Sequence, residues 1–458
     1  MQSVLAKLSL CRTRALGGKT YQCDDCGATT EVFHSCGDRH CPQCSGCKRY
    51  DFAARAEQLI LEGVTYYQVV FTLPGELSEL SLANRESMAE LLFDSASKSL
   101  NKTIRVQQDY APASLMVLHT WNQQLQPHWH VHALVPGGGP CLSSDQWKSA
   151  QSPPGAENDD GHYLVDAISL REAFRKFAVA HLKRLYKKGE LKLGGKFSHL
   201  QDERAWERFC DELTAMDWVS FIQPPPTATS TADQVVRYLT RYLTGGPISD
   251  SRIVAADANH VTFMAREGNR VGGERRQVPV TLPTLEFVRR WCDHIQPDQL
   301  TKTRYFGGWS NQKRAKYLEE CRRLLEASIE IVAAPTEESP SPMGSLSEEP
   351  STEGSCHECQ ECHSRSLRLI AMQAKPSWSS VLTHRDSRCP EWYAESEFTV
   401  FCERLEREYG IGYADWCLEM GLESTMSDRP TSGLPLSEAQ QLYLPGLFPA
   451  RDFAIESF

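Results

Sequence analysis

The chain has 458 residues, 17 of them cysteine, and 49 Lys and Arg against 59 Asp and Glu give a formal net charge of −10. That length suits two to four domains around sizeable cores. No run approaches the roughly eighteen apolar residues of a membrane span, and the N-terminus lacks the charged-then-apolar shape of a secretory leader, so a cytoplasmic protein is expected. A reducing cytosol turns the cysteines toward metal rather than disulfides.

Residues 1–62 are short, turn-rich and cysteine-rich, and read as a small zinc-binding domain. Within residues 63–332, the run from Tyr66 to Pro74 has the β-branched and aromatic content of a strand closed by Pro74 and Gly75. Residues 84–105 form an amphipathic helix with Leu91, Leu92, Ala96 and Leu100 at helical spacing. Ala113 to Trp121 is again strand-like, and after a polar turn the stretch Pro127–Pro136 reads as a buried strand. Strand, helix, strand, turn, strand describes a mixed α/β domain built on a central sheet.

A strongly basic helix is expected over 168–188, carrying Lys183 and Arg184. Past Pro224-Pro225-Pro226, Thr231 or Asp233 caps a helix that holds Tyr238 and Tyr242. Short strands near 252–257, 260–265 and 276–281 and a helix near 283–295 complete the body. Residues 333–355 have the Pro, Ser, Glu and Gly content of a flexible linker, and 356–458 form an acidic tail in which Cys356, Cys359, Cys362 and His363 are candidate ligands of a second zinc.

The charge is unevenly placed. About 21 acidic and 9 basic side chains follow residue 330, which leaves about 40 basic and 38 acidic before it. The body is therefore near neutral with local basic patches. The acidity belongs to the tail, as in a solvated spacer.

Three motifs carry chemistry. Cys23-x-x-Cys26, fourteen residues, then Cys41-x-x-Cys44 has the two-knuckle spacing of a zinc ribbon. Four thiolates close a tetrahedron with no open position, so the expected role of that zinc is structural. Cys11, Cys36, His40 and Cys47 lie close enough to replace a ligand or to make a second site.

His130 and His132 flank Val131 in the buried strand, so both imidazoles point to one face and reach one ion. Paired strand histidines are often satisfied core residues, but three histidines on one face beside an apolar core need partners. His128 and His132 lie about 13 Å apart along a strand, which leaves His128 outside the pair. Two imidazoles leave positions open for a phosphate oxygen, water and another protein ligand. The metal is Mg²⁺ or Mn²⁺, and nitrogen donors favour Mn²⁺.

Tyr238 and Tyr242 stand one above the other on a helix face, with Arg237 and Arg241 interleaved to hold a phosphate or favour phenolate. Tyrosines at this spacing are more often a packing stripe. Gln234, one turn earlier, is either a third metal ligand or an exposed helix residue. A metal that polarises phosphate beside an attacking phenol is equipment for cutting and rejoining DNA.

These blocks, together with Cys11-Arg12-Thr13, Ser35-Cys36-Gly37-Asp38-Arg39-His40, His119-Thr120-Trp121 and Arg304-Tyr305-Phe306-Gly307, resemble the rolling-circle insertion-sequence transposases of the IS91 type. Those enzymes have an HUH nuclease domain and two tyrosines. The likeness spans most of 11–317 in order and spacing. It implies an HUH fold with a central antiparallel sheet behind a zinc ribbon. It also implies metal on His130 and His132, nucleophiles at Tyr238 and Tyr242, and zinc on Cys23, Cys26, Cys41 and Cys44.

The expected partner is single-stranded DNA at the element ends and target, which brings the protein to the nucleoid. No nucleotide cofactor is needed, because a phosphotyrosine conserves the energy of the broken bond. The helix at 168–188 is the expected wall of the DNA groove. Leu243-Thr244-Gly245-Gly246-Pro247 departs from the basic pair common after the second tyrosine. The alternatives are a replication initiator or relaxase with the same chemistry, and a zinc-dependent DNA-binding regulator without catalysis.

Overall fold

The computed structural model describes residues 2–44, 55–153, 163–223, 246–266, 276–332, 359–383, 386–396 and 399–400. Gln234, Arg237, Tyr238, Arg241 and Tyr242 lie outside the described residues, as do the linker at 333–355 and the chain beyond residue 400. The first half of the chain forms α1 (Gln2–Ser9), β1 (Gly18–Cys23), β2 (Thr29–Phe33), β3 (Tyr66–Thr72), α2 (Gly75–Ala83), α3 (Arg85–Gln107), β4 (Ala113–Trp121), β5 (Pro127–Pro136), β6 (Gly138–Pro140), β7 (Trp147–Ser149), α4 (Ala167–Lys187), α5 (Glu203–Ala215) and β8 (Val219–Gln223). There follow β9 (Ile253–Ala256), β10 (His260–Arg266), β11 (Gln277–Pro283), α6 (Thr284–Cys292), β12 (Thr303–Gly307), α7 (Arg314–Val332), β13 (Leu367–Gln373) and α8 (Trp378–Val381). The described residues of 2–44 and of 359–400 belong to one compact unit, and nearly all of 55–332 belong to another.

In the larger unit, five strands make a sheet in the order β12-β4-β5-β3-β8, with every neighbouring pair antiparallel. This is a mixed α/β domain with a central antiparallel sheet. Because side chains alternate across a strand, the sheet has two faces of different character. Val69, Phe71, Met116, Leu118, Trp129, Val131 and Ala133 point to one face and share a core with helices α2 to α5. Phe71 and Phe174 meet there with ring centroids 4.9 Å apart.

The opposite face is divided. At one end Tyr66, Leu115, Val117 and Leu134 pack with Trp309 and with Tyr317, Leu318 and Cys321 of α7. At the other end stand the histidines.

Local chemistry sets these elements. Asp166 caps α4 by accepting from Ser169 N–H at 2.7 Å, and Asp202 caps α5 by accepting from Ala205 N–H at 2.9 Å. The β4–β5 hairpin closes on Asn122, whose side-chain oxygen accepts from the N–H groups of Gln124 and Gln126. That turn fixes the register, and a slip of one residue would send every side chain of β5 to the wrong face. Gly307 has φ +62°, and a Cβ there would collide with the Pro112 carbonyl at the start of β4. β12 can therefore close against β4 only with glycine at this point.

In the smaller unit β1 lies between β2 and β13, antiparallel to both. Residues 367–373, within the expected acidic tail, complete the sheet that begins at residue 18.

Candidate metal centre and cysteine clusters

The hairpin register places His119 of β4 directly across from His130 of β5, and Val117 across from His132. The imidazoles of His119, His130 and His132 consequently converge, with one ligand nitrogen from each lying within 4.8 Å of the others. Their ring centroids are 4.7 Å apart for His119 and His132, 4.9 Å for His130 and His132, and 5.4 Å for His119 and His130.

Burial, with the neighbouring His132 and His128, holds His130 well below the ordinary imidazole range. Burial and His128 bring His132 down to about 4. Both rings are neutral at pH 7 and keep a lone pair. His130 Nδ1–H donates to the His128 carbonyl at 2.8 Å, which leaves Nε2 as the free donor. His132 Nδ1 lies 2.7 Å from the side-chain amide of Gln68 on β3, whose Oε1 is buried without a hydrogen bond. Turning that amide over sets Oε1 to accept Nδ1–H, satisfies the oxygen, and frees His132 Nε2 in the same way.

These three residues fit a divalent cation. Their ligand nitrogens lie within 4.8 Å of one another, and three ligands from one sheet face leave the outer positions of an ion open. His294 is a useful contrast. It is buried, but its nitrogens face Thr120 Oγ1 at 3.2 Å and the Leu125 carbonyl at 3.0 Å, so no donor remains.

The expected pair of His130 and His132 is brought together, and His128 stays outside the cluster. Among the described residues His119 is the candidate for the third position, while Gln234, the sequence candidate, lies outside them. The signal for His119 was its place two residues before Trp121 in an expected strand. The ring of Trp121 stacks on His119 at 4.8 Å and carries Lys302 Nζ 4.9 Å from its centroid.

The expected groove wall requires correction. Helix α4 packs on the sheet face opposite the histidines, through Leu170, Phe174, Ala178 and Leu182. Lys183 and Arg184 are thus on the wrong side of the sheet to line a groove at His130. Arg184 instead lies 3.7 Å from Asp94 of α3. Beside the histidines the cross-strand rows run on through Val70 to Phe221 and through Thr72 to Val219, both more than half exposed on the edge strand β8.

The zinc ligand set also requires correction, because the structure separates the two expected knuckles. Cys41 and Cys44 gather with Cys11 and Cys36, with sulfur–sulfur distances of 3.5 to 3.7 Å. Backbone N–H groups of Cys36 and Asp38 donate to the sulfurs of Cys11 and Cys36. Hydrogen bonds from Cys36 and the other thiols pull Cys41 down to about 5, while burial pushes Cys11 up to about 11. Four buried sulfurs at this spacing fit a structural zinc, whose bonds of about 2.3 Å put tetrahedral corners about 3.8 Å apart.

His40 is turned to Asp38, with Nδ1 2.9 Å from its carboxylate, and is not one of the four. Cys23 and Cys26 lie instead beside Cys359 and Cys362. The physical reason is that residues 29–33 are drawn into β2, which carries the chain away from the first knuckle before Cys36.

A family model described as a transposase zinc-binding domain matches residues 1–73, and one described as "Putative transposase" matches residues 114–316. The "Putative transposase y4qJ" of Sinorhizobium fredii is 33% identical over 371 residues, covering 80% of this chain and 88% of that protein. The transposase for insertion sequence element IS801 of Pseudomonas savastanoi pv. phaseolicola is 25% identical over 324 residues, covering 70% and 73%.

Two solved structures of the conjugative relaxase TrwC in complex with oriT DNA, one copper-bound and one metal-bound, are similar at 16% identity. They cover 49% and 52% of this chain and 80% and 86% of theirs, with TM-scores of 0.20 and 0.21. Among the described residues no helix is long and apolar enough to cross a membrane. On the length and identity of these matches, the chain belongs to the IS91-type family of insertion-sequence transposases.

Proposed function

We propose that this transposase cuts and rejoins single-stranded DNA at the ends of its element through 5′-phosphotyrosine intermediates. The observation that carries the reading is the convergence of His119, His130 and His132 on one sheet face of a transposase-family chain, with His130 and His132 held neutral. A Mn²⁺ or Mg²⁺ ion held by these imidazoles would polarise the scissile phosphate and offset its charge build-up.

The chain's own residues do the rest. Tyr238 or Tyr242 attacks phosphorus through its phenolic oxygen. The new bond joins the tyrosine to the 5′ phosphate, the bond to the 3′ oxygen breaks, and that oxygen leaves as a hydroxyl. Attack by a 3′ hydroxyl on the phosphotyrosine reverses the step and joins strands without ATP. Two tyrosines let the enzyme hold two DNA ends.

His128 accepts from His130, and Gln68 orients His132, so both ligand nitrogens stay aimed outward. Phe221 and Val219, exposed in the same cross-strand rows, offer an apolar edge on which an unstacked base can rest.

The test is covalent capture. Wild-type protein with an element-end oligonucleotide and Mn²⁺ should give an adduct that survives denaturation. Tyr238→Phe and Tyr242→Phe should each keep an adduct with some substrate, and the double variant should keep none. An undiminished adduct in the double variant would refute the assignment.

A further inference from the structure

We propose that Cys23, Cys26, Cys359 and Cys362 bind a second structural zinc in a site split between distant parts of the chain, and that this zinc clasps residues 359–373 onto the N-terminal module. The inference stands independently of the catalytic reading. All four sulfurs lie within 4.8 Å of one another, with Cys23 to Cys362 and Cys26 to Cys359 both 3.6 Å apart. That spacing is close to the roughly 3.8 Å edge of a zinc–thiolate tetrahedron and far from a disulfide bond of about 2.05 Å.

The two contributing loops are built alike. Gly27 N–H donates to the Cys23 carbonyl at 2.9 Å, and His363 N–H donates to the Cys359 carbonyl at the same distance. Cys23 N–H donates to the Ala28 carbonyl, and Cys359 N–H to the Ser364 carbonyl, both at 2.8 Å. A left-handed residue follows the second cysteine in each, Gly27 at φ +75° and His363 at φ +58°. Each loop presents one buried and one exposed sulfur. Two copies of one knuckle, facing each other from distant parts of the chain, make a complete four-thiolate set.

The packing around the site asks for such a clasp. β13 pairs with β1 from Gly18 opposite Gln373 to Cys23 opposite Leu367, and Asp24 N–H donates to the Ser366 carbonyl. Yet Leu369, Ile370 and Met372 are about half exposed or more, so the strand buries little apolar surface in exchange for its ordering. Closing so long a segment of chain carries a loop-entropy cost that an exposed ladder does not offset. A structural zinc supplies folding free energy at that point. Four soft thiolates with no open position favour zinc over the harder cations.

The test counts metal in full-length protein purified without chelator, in a His130→Ala/His132→Ala background so that imidazoles do not contribute. Elemental analysis should give two zinc per chain, falling to one in Cys359→Ser/Cys362→Ser and to one in Cys23→Ser/Cys26→Ser. One zinc in the unsubstituted background, two in either double variant, or iron in place of the second zinc would overturn the proposal.

A second measurement does not depend on counting. With a protease site inserted between residues 333 and 355 of the full chain, the cleaved tail should co-elute with the N-terminal fragment. The same nicked chain carrying Cys359→Ser/Cys362→Ser should release it. Release from the zinc-loaded protein, or retention by the variant, would overturn the clasp.

Discussion

His294 gives the account a quantitative handle on the hairpin that aligns the metal site. Burial, only partly offset by its hydrogen bond to the Leu125 carbonyl, pushes this imidazole down to about 4. The fold therefore holds it neutral, whereas an unfolded chain protonates it near pH 6.5. Above that pH the two states bind the same number of protons, and the residue adds no pH dependence. As the pH falls the unfolded state gains a proton first, so stability drops with a cost of about 2 kcal/mol at pH 5 and about 3 kcal/mol below pH 4.

His294→Gln removes the titration while keeping a donor for Leu125. Denaturant unfolding should be followed by tryptophan fluorescence, since the Trp121 ring lies 5.8 Å from that of His294. Between pH 7 and 5 the wild type should lose about 2 kcal/mol more than the variant. Saturating Mn²⁺ should leave that difference unchanged, because His294 is not a ligand. Equal losses in the two proteins would refute the burial argument and with it the reading of His294 as a neutral tie across the hairpin.

Further expectations address the site directly. His119→Ala should abolish metal-dependent cleavage as fully as His130→Ala or His132→Ala, with single-stranded DNA binding largely kept in filter or anisotropy assays. Gln68→Leu should weaken Mn²⁺ binding by roughly 10–100-fold by calorimetry, the range for an outer-shell partner, while an unchanged affinity would remove Gln68 from the site. Phe221→Ala should weaken single-stranded DNA binding by roughly 1–3 kcal/mol if a base stacks there. Lys183→Ala/Arg184→Ala should leave cleavage unchanged within error, because α4 lies behind the sheet; a large loss would restore that helix as a groove wall.

Much of this architecture was legible in the residues, and the misses share a cause. The strands at 66–72, 113–121 and 127–136 follow from β-branched and aromatic runs ended by Pro, Gly or polar turns. The pairing of His130 with His132 follows from strand period alone. His119 was harder to place, because its position opposite His130 depends on the Asn122 turn and hairpin register, which period does not encode.

The cysteine spacing identified genuine knuckles but assigned their partners wrongly. A Cys-x-x-Cys loop offers two ligands and carries no mark of which distant loop completes the four. Here β1 and β13 decide that for Cys23 and Cys26, and the long separation of those strands hid it. The basic helix misled in another way, since the charged stripe of α4 is its solvent face, set by Leu170, Phe174 and Leu182 facing inward. Strands β8 and β12 are only five residues long and escaped notice, although β8 carries the exposed Phe221 beside the site.

The central claim is that a tyrosine of this chain becomes covalently joined to DNA under the direction of the three histidines. The most direct measurement is mass spectrometry of tryptic peptides after reaction with an element-end oligonucleotide, Mn²⁺ and nuclease trimming. The account requires a nucleotide on the tryptic peptide bearing Tyr238 or on the one bearing Tyr242, which cleavage after Arg241 separates, present in the wild type and lost in His119→Ala and in His130→Ala. Modification at a different residue, or the same adduct undiminished without the histidines, would contradict it.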